Sequence, residues 1–344
     1  MPPEPGGVQR TRNAPGGTGR AYCLLMVRSH THEDRSLLRG LIGDGRPALA
    51  AVAAALAFSG GLAVYLGATR QLLPHDLAYL GMSAPEIEAI SDGELMDFMV
   101  HDRVSWGGSL FAVGVLYMWL VAFPLATMQR WAWTTMTLTG VIGFASFLSY
   151  LPTGYLDSWH GLGSLLLIPV FVIGVVRTWA EVRRVPDRPR APVQVGWGRR
   201  LVIATGAGLA VSGLIIMVIG MTVTFVQSDL EFIGLTAEAI AGINDRLVPL
   251  VAHDRIGFAG GVVVSGALIA LVALYGEGRA SREAVLVAGL AGFGPALAVH
   301  ISVGYTDFLH LAPNLVGPLA LGTGLAFWTW EESKSTPEFG ASTI

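Results

Sequence analysis

The sequence predicts an all-α polytopic membrane protein, with eight transmembrane helices arranged as two parallel four-helix bundle repeats. Three observations predict it. The 344 residues are 52% hydrophobic and only 14% charged, with a mean hydropathy of +0.56; a soluble domain carries about 25% charge. Eight apolar runs approach the roughly 20 residues that cross a bilayer. Two polar motifs recur. His101-Asp102-Arg103 returns as His253-Asp254-Arg255, 152 residues on, and Gly154-Tyr155-x-Asp157-x-x-His160 returns as Gly304-Tyr305-x-Asp307-x-x-His310, 150 residues on.

Residues 1–45 are rich in Gly, Pro and Arg and lack a sustained period, which predicts a disordered cytoplasmic tail. Within it, the apolar stretch Cys23–Val27 is too short for a signal peptide core, and Met26 offers an alternative start. The first membrane repeat spans 46–178 and the second 201–330. Their apolar runs fall at 47–68, 104–124, 131–151, 159–176, 201–224, 256–274, 284–303 and 309–328. They must be helices, because lipid offers no partner to backbone polar groups. Glycine pairs such as Gly60-Gly61, Gly107-Gly108 and Gly260-Gly261 suit close helix packing, where lipid supplies no hydrophobic drive.

The long polar segments 69–103 and 225–255 resemble each other: Asp76–Ser83 parallels Asp229–Thr236. Ser83, Pro85 and Glu86 form a capping-box helix start. Ile87, Ile90, Leu95 and Phe98 follow at helical spacing, which predicts one or two amphipathic helices over the mouth of the bundle. A basic cytoplasmic linker, 179–200, joins the repeats, and 331–344 form a cytoplasmic tail. Four helices per repeat is an even number, so both copies insert in the same orientation.

Arg and Lys set that orientation. Eighteen lie in the tails, the linker and the turns at 130 and 279–282; four, Arg70, Arg103, Arg246 and Arg255, lie on the other side. Both termini are therefore expected in the cytoplasm, and the repeated histidines at the extracytoplasmic face. One Lys against 21 Arg is the bias of a GC-rich bacterial genome, so the expected location is a bacterial cytoplasmic membrane. The bilayer is the expected partner, with a membrane redox partner beside it and no nucleic acid. The lone Cys23 excludes internal disulfides, CxxC pairs, CxxCH haem attachment and four-Cys metal sites.

The candidate site consists of His101, His160, His253 and His310, each at the start of an even-numbered helix. Imidazoles from facing helices converge on a bundle core and can supply the axial ligands of a haem, or bind another metal. Here His101 is expected to face His160, and His253 to face His310. Asp157 and Asp307 lie three residues before their histidines, where each could accept the second ring N–H. Asp102 and Asp254 complete the polar surround. Arg103 and Arg255 could reach haem propionates or lipid phosphates. Gly107, Gly108, Gly161 and Gly163 could leave space for a macrocycle. His75 and His300 lack a histidine counterpart in the other repeat, which marks them as structural or accessory, and His30 and His32 lie in the tail.

Eight helices in two four-helix repeats, with one histidine opening each even helix, resemble the haem A synthase family. The likeness covers about residues 47–328. It implies that His101 and His160, and His253 and His310, each surround a haem. Where that family has a Glu three residues before its first His and an Arg directly after it, this chain has Phe98 and Asp102, and then Leu250 and Asp254. Four function classes follow from the residues: a haem-binding oxidoreductase or electron carrier, a divalent-metal protein using N and O ligands, a small-solute or proton-coupled carrier, and a non-catalytic scaffold. A carrier would place charges near mid-membrane, and these runs have almost none there.

Overall fold

A computed structural model describes residues 43–155, 158–186 and 195–335. The tail to residue 42, Asp157, the linker core 187–194 and the last nine residues lie outside the described residues. The described residues are helical, without a strand, and eight of their helices are long and apolar enough to cross a membrane. In chain order these eight are α1 (Arg46–Ala68), α4 (Glu94–Ala122), α5 (Arg130–Ser146), α6 (Ser158–Val182), α7 (Trp197–Thr222), α10 (Leu247–Tyr275), α11 (Gly278–Val303) and α12 (Phe308–Ser335). A 3-10 stretch, Phe147–Thr153, extends α5. Large apolar side chains such as Phe58, Leu165, Ile301 and Leu319 stand exposed around the bundle, as contact with lipid requires.

Two helices form the axis. The most apolar window of α10 is 72% buried and that of the span containing α4 is 50% buried, against 17–28% for α1, α5, α6, α7 and α12. α4 packs on α1, α10 and α11, while α10 packs on α7, α5 and α4. Glycine sets the closest contacts. A Cβ at Gly60 would sit 2.4 Å from Phe111 N, and one at Gly114 would sit 2.5 Å from Ala57 N, so α1 and α4 touch through backbone. α7 and α10 touch in the same way, through Gly206 against Ala270 N and Gly266 against Ala210 N, each at 2.6 Å. Gly107 and Gly108 are consumed by such packing, against α1 and against Ala291 O of α11. Gly161 is exposed, with open space where its Cβ would be.

The polar segments fold into four short helices at one end: α2 (Pro74–Leu80), α3 (Ala84–Glu88), α8 (Gln227–Ile233) and α9 (Ala237–Ile243). Ser83 N–H donates to Glu86 Oε2 at 2.7 Å, the expected capping contact; Thr236 Oγ1 accepts from Ala239 N–H at 3.2 Å at the matching place. The caps hold Glu86 below the ordinary carboxylate range, through the Ser83 backbone first. Ile87, Ile90, Leu95 and Phe98 are buried, in one apolar cluster with Ile233, Ile240, Tyr155 and Tyr305. These segments are thus a packed floor at the histidine end. That floor changes two boundaries. α4 and α10 begin about ten residues before their apolar runs, so His101 and His253 stand roughly two turns inside their helices, whereas His160 and His310 lie in the first turn. The polar first turns stay helical because protein, not water, surrounds them.

Candidate functional site

Two clusters of rings lie at the histidine end, and neither pairs the residues as the repeats suggested. His101 does not face His160; it meets His300 of α11 and His310 of α12. His101 Nε2 lies 2.9 Å from His300 Nε2 and 3.5 Å from His310 Nε2. Among the described residues, one ligand atom from each of these three lies within 4.8 Å of the others. His101 and His300 are buried and His310 half-buried. His253 meets His160 instead, with ring centroids 5.0 Å apart, and Tyr150 at 4.4 Å. Trp106 packs on His160 at 4.6 Å. The exchange follows from helix order: α4 lies on α11, and α10 lies on α5 and its extension.

The His300 tautomer follows from its far ring nitrogen. His300 Nδ1 is 2.5 Å from Ala296 O, and a carbonyl only accepts, so Nδ1 carries the proton and Nε2 keeps its lone pair. His101 Nδ1 lies 3.3 Å from Asp102 Oδ1. Its Nε2 lies 2.9 Å from the His300 Nε2 lone pair, a separation that a proton on His101 Nε2 or a cation bound by both nitrogens satisfies. His253 repeats the near half of this arrangement, with Nδ1 at 3.2 Å from Asp254 Oδ1. Its Nε2 is buried with no hydrogen-bond partner among the described residues.

The arginines serve the aspartates. Arg103 Nε donates to Asp254 Oδ2 at 2.7 Å, and its Nη1 lies 2.8 Å from Asp76 Oδ2 on α2. Arg255 Nη1 donates to Asp229 Oδ2 of α8 at 2.5 Å and to Thr224 O at 2.7 Å, and its Nε lies 3.6 Å from Asp102 Oδ2. Each arginine therefore joins the aspartate of the other His-Asp-Arg motif to an aspartate of the packed floor. All four aspartates and both arginines are buried. A buried guanidinium needs carboxylates, and both arginines find them within the protein. Tyrosines complete the set: Tyr155 OH donates to Asp76 Oδ1 and Tyr305 OH to Asp229 Oδ1, each at 2.7 Å. Burial, and then the charge of Asp229, raises the Tyr305 phenol above its ordinary range, so it stays a donor.

Asp307 takes a different part from the one its spacing suggested. It precedes α12, and its Oδ1 accepts the backbone N–H of His310 at 2.8 Å, a helix cap. Its counterpart Asp157 lies outside the described residues. His300, expected to be structural or accessory, lies in the same cluster as His101, with Nε2 to Nε2 at 2.9 Å. The sequence signal was present: Tyr150 occupies the place of His300 when the two Gly-Tyr motifs are superposed, so the position holds a ring with a polar atom in both halves. His75 lies beside Asp76, Nε2 to Oδ1 3.4 Å, and belongs to the polar floor. Asp76 and Asp229 were visible as a matched pair but carried no assigned role.

The first cluster lies at one end of a cavity of about 400 Å³ between α4, α7, α10, α11 and α12. This is within the usual size of small-molecule pockets. No family model, curated protein or solved structure matches the chain.

Proposed function

We propose that this chain is a membrane-embedded metalloenzyme in which His101, His300 and His310 hold one transition-metal ion, of the zinc, iron or copper class, facing the cavity. The observation that carries this is the approach of three Nε2 atoms. Ligand nitrogens on a tetrahedral ion with bonds of about 2.0–2.1 Å lie roughly 3.3 Å apart. The pairs at 2.9 and 3.5 Å bracket that value. A haem between two imidazoles needs its ligand nitrogens about 4 Å apart, on opposite faces of a macrocycle, given similar bond lengths. Separations of 2.9 and 3.5 Å leave no plane between the rings.

Three protein ligands leave a coordination position open, which is the pattern of catalytic and not structural sites. Asp102 beside His101 and the Ala296 carbonyl beside His300 orient the imidazoles from behind, as outer-shell partners do. The ion would supply Lewis-acid or redox chemistry at that position. His101 presents one ligand from α4 while α11 and α12 bring the other two, so the site forms only when these helices pack.

The same reading takes the chain as two four-helix repeats that exchange site residues. His101 of the first half works with His300 and His310 of the second, and His253 of the second packs with His160 and Tyr150 of the first. With the arginine-rich ends inside a bacterial cell, the metal lies near the extracytoplasmic face, where a redox partner would approach. The resemblance to haem A synthase implies a haem within each half; the exchange of partners supports an ion shared between halves instead.

Elemental analysis and an absorption spectrum of the purified protein test this together. About one zinc, iron or copper per chain with no Soret band is expected. A Soret band, or a metal-free protein from metal-replete cells, would sink the proposal.

A further inference from the structure

The cavity continues well past the histidines. Its wall along α4 runs from His101 through Ser105 and Ser109 to Ala112, about 16 Å of helix axis. The rest of this slot is lined mainly by apolar side chains, among them Leu209 and Ile216 on α7 and Phe258 and Val262 on α10. A Cβ built at Gly292 on α11 would come into ordinary van der Waals contact with Ala112 Cβ, at 3.9 Å, so a larger side chain there fills the space between α11 and α4.

Polar atoms are scarce along it. Ser109 Oγ donates to Trp106 O and Ser265 Oγ to Val262 O, each turned back onto its own helix. The wall they leave is hydrocarbon. A chain of waters or a polar solute would find too few partners there. Ser212 and Asn314 also line it, half-buried, whereas Ser105 is enclosed. It is 1% exposed, one turn from His101, and its Oγ has no hydrogen-bond partner among the described residues. A buried hydroxyl left unpaired is costly, and a ligand atom at this level would satisfy it. At the histidine end the lining includes Leu309, which is 80% exposed on an apolar outer surface shared with Phe308 and Ile301. The mouth therefore faces the region that lipid would occupy.

We propose that the slot takes a single-chain amphiphile from the lipid phase. Its tail lies along α4 between α7, α10 and α11. Its oxygen-bearing head sits between Ser105 Oγ and the three imidazoles, in the open coordination position. The position of the head rests on the metal reading; the position of the tail does not. A tail arriving from lipid gains little by leaving one apolar medium for another. Selection therefore comes from the head oxygen.

The test is photolabelling of the full-length protein in lipid nanodiscs, with metal content measured on the same samples. Two probes carry a diazirine near the tail end: a straight-chain fatty acid and a farnesyl-type isoprenoid alcohol. Adducts are expected on α11 around residues 288–296 and on the facing side of α7, from one probe more than the other, which identifies the tail class. Gly292→Leu should cut α11 labelling at least tenfold and leave the metal content intact. Ser105→Ala should weaken labelling several-fold, and guards against a folding defect in the first variant. Labelling spread over the lipid-facing surface, and equal in wild type and both variants, overturns the proposal even if the metal is present. Slot labelling in a metal-free protein keeps the tail site and sinks the metal reading instead.

Discussion

The two ring clusters occupy matching places and differ by one residue type. Around His101 the neighbours are His300 and His310, and three imidazole nitrogens converge. Around His253 they are Tyr150 and His160, and the phenol ring lies against the imidazole at 4.4 Å and 36°. Their supports are alike: an aspartate at Nδ1, an arginine from the other motif on that aspartate, and a floor aspartate held by a tyrosine. The scaffold is thus kept in both places while the donor set is complete in one.

The hardest test of that contrast is removal of each central histidine. His101→Ala should take the metal from about one per chain to near zero, while His253→Ala should leave it unchanged. Equal loss from both, by elemental analysis, would mean that the clusters act as one centre and the comparison is false.

The supports should fail alike. Arg103→Ala strands Asp254 and Asp76, and Arg255→Ala strands Asp229 and Asp102. Breaking a buried pair from one side costs about 3–5 kcal/mol, because the remaining charges are uncompensated. Denaturant or thermal unfolding in one detergent should show losses of that size for both variants. Removing Asp254 as well as Arg103 should cost much less than the two single losses added together. A loss confined to one arginine would break the likeness of the two scaffolds.

A gain is the next test. Tyr150→His puts a third imidazole beside His253 and His160. If the single residue makes the difference, metal content should rise from about one to about two per chain. No rise would show that backbone placement, and not residue type, separates the clusters.

What the sequence revealed follows the range of each signal. Apolar length and motif recurrence are local, and they located eight spans, the repeated histidines and the floor segments. Helix neighbours are not local. The fact that α4 lies on α11 depends on contacts such as Gly108 against Ala291 O, two residues far apart in the chain. Pairing within a half was the simplest expectation, and the packing order exchanged it. His300 was discounted because its counterpart is Tyr150, since only identical residues were matched. Asp76 and Asp229 lie outside the apolar runs, where a carboxylate ordinarily meets water; folding of the floor buries them, and only then do Arg103 and Arg255 have partners.

The smallest expected effect concerns the tyrosines. Tyr305→Phe removes one donor to the Asp229 carboxylate and leaves Arg255 on its other oxygen. A hydrogen bond to a charged group contributes about 1.5–3 kcal/mol. Tyr155→Phe should cost a similar amount at Asp76. A pH series sharpens this. Because the folded-state pKa of Tyr305 is raised, folding favours the protonated phenol. That contribution is fully present below the unfolded tyrosine value of about 10 and is lost as pH rises from there toward the folded value. Wild-type stability should therefore fall more steeply above pH about 10 than that of Tyr305→Phe, which has no phenol to ionise at this position. Identical slopes would mean that Tyr305 ionises as freely folded as unfolded. The buried Tyr305–Asp229 contact would then contribute nothing to the floor beneath the three histidines.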